Sequence, residues 1–261
     1  MKNLLILGCG RSGTSMVAGL FRNAGYFMGE KLIPADESNP RGYYQSERVV
    51  FINERLLEAV DHPDARKVAR RVIGETTVPA ATRWLLALDT DTTIAATPEL
   101  RRRMRDVLCR EPYCFKDPRF SYTLEAWRPE LRDPRFVCVV RHPLEVTKSV
   151  LRHAERRGYR ERLGLDRERV LRVWRCCYRY ILERLVREPE RWKFVHYDQL
   201  LDRRRIDELG RFVGAEVDAS IVDRDLRTAG SEEGEGEGLD RETMELYGTL
   251  CRRAEHPTPV R

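Results

Sequence analysis

Lysine is scarce in this sequence. Only six of the 48 basic residues are lysine, at 2, 31, 67, 116, 148 and 193, which leaves 42 arginines. The arginines are interleaved with acids, as in Arg160-Glu161-Arg162 and Asp166-Arg167-Glu168-Arg169. That pattern reads as solvated helix faces. The net charge of +6 therefore does not point to nucleic acid. Long apolar runs are also missing. None approaches the ~20 residues of a membrane span, so no integral membrane segment is expected. The short apolar run at the N-terminus reads as a first strand rather than a signal peptide. Cytoplasmic residence is the expectation. The seven cysteines include no CxxC pair, so zinc, or any metal site, is not expected. Nothing asks for an oxidising compartment, and no internal repeat is visible.

What the chain does have is a glycine-rich turn. Gly8-Cys9-Gly10-Arg11-Ser12-Gly13-Thr14-Ser15 follows the apolar run Leu4-Leu5-Ile6-Leu7 and precedes the amphipathic stretch 16–24. Glycines let backbone N–H groups turn inward, and a helix start favours negative charge, so the turn reads as a phosphate cradle. Its Gly8-x4-Gly13 spacing is that of a P-loop, but Thr14 stands where a nucleotide triphosphatase needs lysine. The cation lies three residues earlier, at Arg11. A ligand-free turn is the plain alternative. A dinucleotide fingerprint fails because no second strand ends in an acid roughly 20 residues on. A cysteine phosphatase loop fails because Ser15 stands where its arginine belongs.

Beyond the turn, residues 25–45 are rich in Gly, Pro, Asp, Asn and Arg, a candidate lid or acceptor-binding loop. Residues 49–60 have helical spacing. Residues 61–110 read as a helical insertion anchored by Trp84-Leu85-Leu86-Ala87-Leu88. Three more apolar runs read as strands, at 113–115, 135–140 and 193–197. Helices are expected at 144–153, 170–186 and 206–213. Residues 230–238 form an acidic, flexible loop. Alternating strands and helices argue for one α/β domain over 1–261, with a mainly parallel sheet covered by helices on both faces.

Ligands of open α/β sheets bind beyond the carboxyl ends of the strands. Three such ends carry cations here: the glycine turn with Arg11, then Lys116, then Arg141. Together they imply an anion with more than one charged group. Ser149 follows Arg141 by eight positions, inside a helix opened by Pro143. Its hydroxyl and Arg141 can share one phosphate.

These residues resemble a known family. Gly8 to Ser15 looks like the 5′-phosphosulfate loop of sulfotransferases that use 3′-phosphoadenosine 5′-phosphosulfate (PAPS). Arg141-His142-Pro143 through Ser149 resembles their 3′-phosphate motif. Phe115-Lys116-Asp117-Pro118-Arg119 is similar to the Lys-Asp-Pro segment of the tyrosylprotein sulfotransferases and bacterial relatives. Phe194 to Leu201, with Tyr197, is like a later Tyr-Glu-Asp-Leu segment. The resemblance spans most of residues 1–215. It implies a P-loop three-layer fold and transfer of a sulfuryl group from PAPS to a hydroxyl on a sugar, glycolipid or small natural product, leaving 3′,5′-adenosine bisphosphate. Gly10, Arg11, Ser12, Gly13, Thr14, Ser15, Arg141, Ser149 and Tyr197 would hold the donor. Two departures stand out. The basic glycine-rich segment near the C-terminus of the cytosolic enzymes is replaced by the acidic residues 231–238, with Arg224 or Arg227 as substitutes. Pro118 occupies the place of their histidine base.

For that chemistry Lys116 suits the charge that develops on the bridging oxygen. The acceptor hydroxyl needs a general base. Glu30, Asp36, Glu47 and Asp117 are candidates. Gly29-Glu30 fits a Gly-Glu pair of the tyrosylprotein sulfotransferases, whereas Asp117 can instead fix its own loop. A P-loop small-molecule kinase, with Asp198 as its magnesium ligand, and a nucleotide-binding protein without turnover are the alternatives.

Overall fold

The computed structural model describes residues 1–60, 80–222 and 238–257. Its centre is a parallel sheet of β1 (Asn3–Leu7), β2 (Cys114–Lys116), β3 (Pro134–Val140) and β4 (Trp192–His196), in the order β2-β1-β3-β4. Leu4 lies opposite Cys114 and Ile6 opposite Lys116. On the other side Leu7 meets Cys138, and Val140 of β3 meets His196 of β4. The central strands read as unbroken apolar runs because both faces are covered.

Eight α-helices flank the sheet among the described residues: α1 (Thr14–Leu20), α2 (Glu47–Glu58), α3 (Pro98–Leu108), α4 (Phe120–Trp127), α5 (Pro143–Arg156), α6 (Arg167–Tyr180), α7 (Arg203–Val213) and α8 (Arg241–Arg253). Successive strand residues point to opposite faces. Leu4, Ile6, Cys114, Val137 and Val139 pack with α1 and α7, while Leu5, Leu7, Phe115, Phe136 and Cys138 pack with α2 to α6 and α8. The result is three layers, helix, sheet, helix.

Of the expected helical insertion at 61–110, the described part is helical over two stretches. Residues 61–79 lie outside the described residues. Ala80–Leu85 forms a short 3-10 helix and α3 follows after an irregular stretch. Of the acidic loop, only Gly238 is described. The helix expected at 170–186 ends its α-helical part at Tyr180 and widens into a π-turn over Ile181–Leu185. Helix α1 opens at Thr14 and stops at Leu20, earlier than its apolar pattern suggested.

Helix α4 is tied to α2 by one buried amide. Asn53 Oδ1 accepts from Thr123 Oγ1 and from the Trp127 indole N–H, both at 2.8 Å. Asn53, Thr123 and Trp127 are fully buried. Asn53→Ala should therefore cost about 1–3 kcal/mol, the penalty for a stranded buried donor. A melting curve matching wild type would show that the amide is not a tie.

Candidate active site

The glycine turn leaves β1 at the carboxyl edge of the sheet, beside the end of β3. Ser12 N–H closes the turn on Cys9 O at 3.2 Å. Two aromatic rings press on it. A Cβ on Gly10 would come within 2.3 Å of the Trp84 ring, and one on Gly13 within 2.5 Å of the Tyr197 ring. Any larger residue at either place would push an aromatic away. Gly13 also holds a left-handed φ of 98° as it starts α1.

The cations converge around this turn. Arg11 Nε donates to Ser149 Oγ at 3.1 Å, and its Nη2 donates to Ser38 O at 3.1 Å. Arg141 lies 4.3 Å from the centre of the Tyr197 ring, and its Nη1 reaches Arg11 O at 3.5 Å. Glu145 is 3.5 Å from Arg141 Nη2. Trp174 fixes the strand end from behind, with its indole N–H on Arg141 O at 3.3 Å. Lys116 shares a face with Cys114, and so points toward α1. Its Nζ donates to Ser15 Oγ at 3.1 Å and sits 5.9 Å from the centre of the Tyr43 ring.

These positive groups crowd one another. Burial first, with the charge of Arg141 behind it, lowers the Arg11 guanidinium from its ordinary value. Burial likewise brings Lys116 down to about 7; Arg119 and Arg11 push the same way and Asp117 opposes them. A buried, partly uncompensated positive corner is a site for a polyvalent anion.

The structure brings the donor residues read from the sequence together, with two qualifications. Ser12 is buried, and its hydroxyl is engaged with Tyr178 OH at 3.0 Å. Thr14 is buried as well. Neither side chain is exposed at the surface of the turn.

The candidate bases are scattered. Asp117 lies next to Lys116 in sequence but on the opposite face of the strand. Its Oδ1 accepts from Arg119 N–H at 2.9 Å and from Arg119 Nη1 at 3.0 Å, while Oδ2 has no hydrogen-bond partner. Arg119 continues to buried Glu54, which also accepts from Arg83 at 2.9 Å. Burial raises Glu54 against the pull of both arginines. Asp36 is saturated by Ser38, Asn39, Tyr43 and Arg157. Burial pushes its carboxyl up, but the hydrogen bonds from Ser38 and Tyr43 and the charge of Arg157 win and hold it at about 2. Glu47 pairs with Lys31 at 3.1 Å. Glu30 is exposed, 3.8 Å from Arg48, and borders a cleft of about 560 Å³ whose lining includes Tyr26, Phe27, Tyr44 and Arg110 but no residue of the 8–15 turn.

A model of the sulfotransferase family matches residues 3–218. The chain belongs to that family. Among solved structures, this sulfotransferase resembles the sulfotransferase domain of the Synechococcus PCC 7002 olefin synthase, with 17% identity over 96% of each chain and a TM-score of 0.51. It also resembles the sulfotransferase domain of the curacin biosynthetic pathway, with 16% identity over 99% of each chain and a TM-score of 0.53. A search of curated protein sequences returns no significant match. The two structural likenesses concern the fold.

Several residues around the glycine turn escaped sequence reasoning. Trp84 was visible only as an apolar anchor. Ser121 Oγ accepts from Gly8 N–H at 3.3 Å, and Tyr178 OH donates to Val139 O at 2.7 Å while engaging Ser12. His153 lies one turn beyond Ser149 on α5, its ring 6.1 Å from Trp84. Burial, then Arg11, Arg157 and Arg156, bring its imidazole down to about 4 against Asp36.

The lowered Lys116 has a stability consequence. Between about pH 7 and its ordinary 10.5 the unfolded chain holds a proton that the folded chain has lost, so stability rises with pH across that window. Lys116→Met carries no such proton. Its stability relative to wild type should be greatest below pH 7 and should decline steadily toward pH 10 in melting experiments. A difference that does not vary with pH would mean that Lys116 titrates normally.

Proposed function

We propose that this chain transfers the sulfuryl group of PAPS to an acceptor hydroxyl on a sugar, glycolipid or small natural product. The observation that carries this reading is the meeting of Arg11, Arg141 and Ser149 on one side of the glycine turn with Lys116 and Ser15 on the other. Family membership supports the transfer, and the two cationic clusters support a donor with two separated anionic groups. The turn and Arg11 hold the 5′ phosphosulfate, Arg141 and Ser149 hold the 3′-phosphate, and Tyr197 packs against both Gly13 and Arg141.

In the reaction an acceptor oxygen attacks sulfur, and the bond from sulfur to the 5′-phosphate oxygen breaks with its electron pair going to the phosphate. Lys116 meets that growing charge as a cation. Binding a polyanion raises its proton affinity again, so the ammonium form is present when needed. For the acceptor proton we keep Glu30 as the base. Phe27 bridges Tyr113 in parallel, which starts its segment along β2 in the direction of Lys116. Glu30 also lacks the locking hydrogen bonds of Asp36 and Asp117.

Calorimetry tests the donor. 3′,5′-Adenosine bisphosphate should bind about 10–100-fold more tightly than ATP, since ATP forfeits a charged hydrogen bond worth about 1.5–3 kcal/mol. Equal affinity would sink the assignment of the second anion site.

The chemistry is tested with an acceptor from a screen of phenols and sugars. Lys116→Ala should lower kcat about 10²–10³-fold, as loss of a preorganised charge donor does, and leave the affinity for 3′,5′-adenosine bisphosphate within a few-fold. Glu30→Gln should lower kcat by about 10²-fold or more if it takes the proton. Normal turnover in that variant moves the base elsewhere without touching Lys116.

A further inference from the structure

Three histidines gather behind the donor wall, beside Arg141 and Tyr197 in sequence but pointing into a separate group. His142 and His196 both pack against the ring of Tyr247, at 5.0 and 5.9 Å between ring centres. His196, the last residue of β4, faces His256 near the end of the described chain, with ring centres 3.8 Å apart and planes at 8°. Asp198 completes the group. One ligating atom from each of His196, Asp198 and His256 lies within 4.8 Å of the other two.

The hydrogen bonds define which atoms are lone pairs. Asp198 N–H donates to His196 Nδ1 at 3.3 Å, so Nδ1 carries the lone pair. The proton is then on Nε2, which lies 3.0 Å from Tyr247 OH. This is the outer-shell pattern that orients a ligating imidazole. The Asp198 carboxylate stands 3.6 Å from that same Nδ1. An unprotonated nitrogen and a carboxylate oxygen therefore share one side of the ring, an arrangement that a cation between them would relieve.

The two halves are held in place independently. Gln199 Oε1 accepts from His196 N–H at 2.9 Å, and its Nε2 donates to Ala254 O at 2.7 Å. Arg205 Nη1 bonds Glu255 at 3.0 Å. The C-terminal segment is thus docked at the end of β4 by contacts other than the histidine stack. His196 is buried, whereas Asp198 and His256 are open enough for an ion to enter.

We propose that His196, Asp198 and His256 form a binding site for a divalent transition-metal ion of the zinc type. Two imidazoles and one carboxylate suit such an ion, and leave a fourth position for water. Oxygen-seeking magnesium and calcium are poorly served by two nitrogens. Ligation requires His256 to turn out of its stack and His196 Nδ1 to give up its long bond from Asp198 N–H. Tyr197, the neighbour of His196, packs on Gly13 and Arg141, so the ion fastens the tail one residue away from the donor wall. The proposal does not depend on sulfuryl transfer by this chain.

The test is calorimetric titration of the whole, metal-stripped chain with zinc chloride, for wild type, His256→Ala and Asp198→Asn. Expected are one zinc per chain, at least tenfold weaker binding in each variant, and a higher melting temperature of wild type with zinc than with EDTA. Asp198 is exposed and His256 half-buried, and unchanged melting of the variants in EDTA shows that the fold is kept. Cobalt(II) substitution separates this site from the cysteines: visible bands without a thiolate charge-transfer band support it. Absence of zinc binding, equal affinity in both variants, or a thiolate band overturns it.

Discussion

The repulsion among Arg11, Lys116 and Arg141 is the constraint around which the rest of the site is arranged. Gathering like charges in a partly buried corner opposes folding, because Arg11 and Lys116 lose water with no carboxylate among the ties that hold them here. The structure offsets this with small local ties: Ser149 and Ser38 for Arg11, Ser15 for Lys116, and Tyr197 with Glu145 for Arg141. Of these ties only Glu145 brings a negative charge, against three cations. The remaining positive charge of the corner is what the proposed donor would meet.

Strand parity then sorts the chemistry. Lys116 and Asp117 are adjacent, yet one reaches α1 and the glycine turn while the other enters the opposite core and meets Arg119. The sequence shows the pair but not the separation. The strand ends and the turn were legible because buried parallel strands are unbroken apolar runs and the turn has a distinctive spacing. Helix α4 was not, since seven of its eight residues, all but Glu125, are buried and no amphipathic stripe remains to be read. Trp84 was visible only as an anchor, because its contact with Gly10 joins segments far apart in the chain. The His196–Asp198–His256 group has no recognisable spacing for the same reason.

The scarcity of lysine acquires a physical meaning in this arrangement. Arginine carries the structural ion pairs, including the buried chain from Arg83 through Glu54 to Arg119. A guanidinium stays charged under all ordinary conditions and can grip a carboxylate with a planar fork. Lysine gives up its proton far more readily when buried. Among the described residues, the one buried lysine is Lys116, while Lys2, Lys31, Lys148 and Lys193 are all substantially more exposed. The chain places its adaptable cation in the buried corner beside the glycine turn.

The packing of Trp84 on Gly10 has an optical consequence. The chain has four tryptophans, and Trp127, Trp174 and Trp192 are buried, whereas Trp84 is only partly so. Its indole is the one whose surroundings include both solvent and the glycine turn. Emission from Trp127 and Trp192 reports the integrity of the core, and that of Trp174 the core behind Arg141. Emission from Trp84 reports the polarity beside the turn, so the protein carries its own fluorescent gauge of whether that cradle is filled.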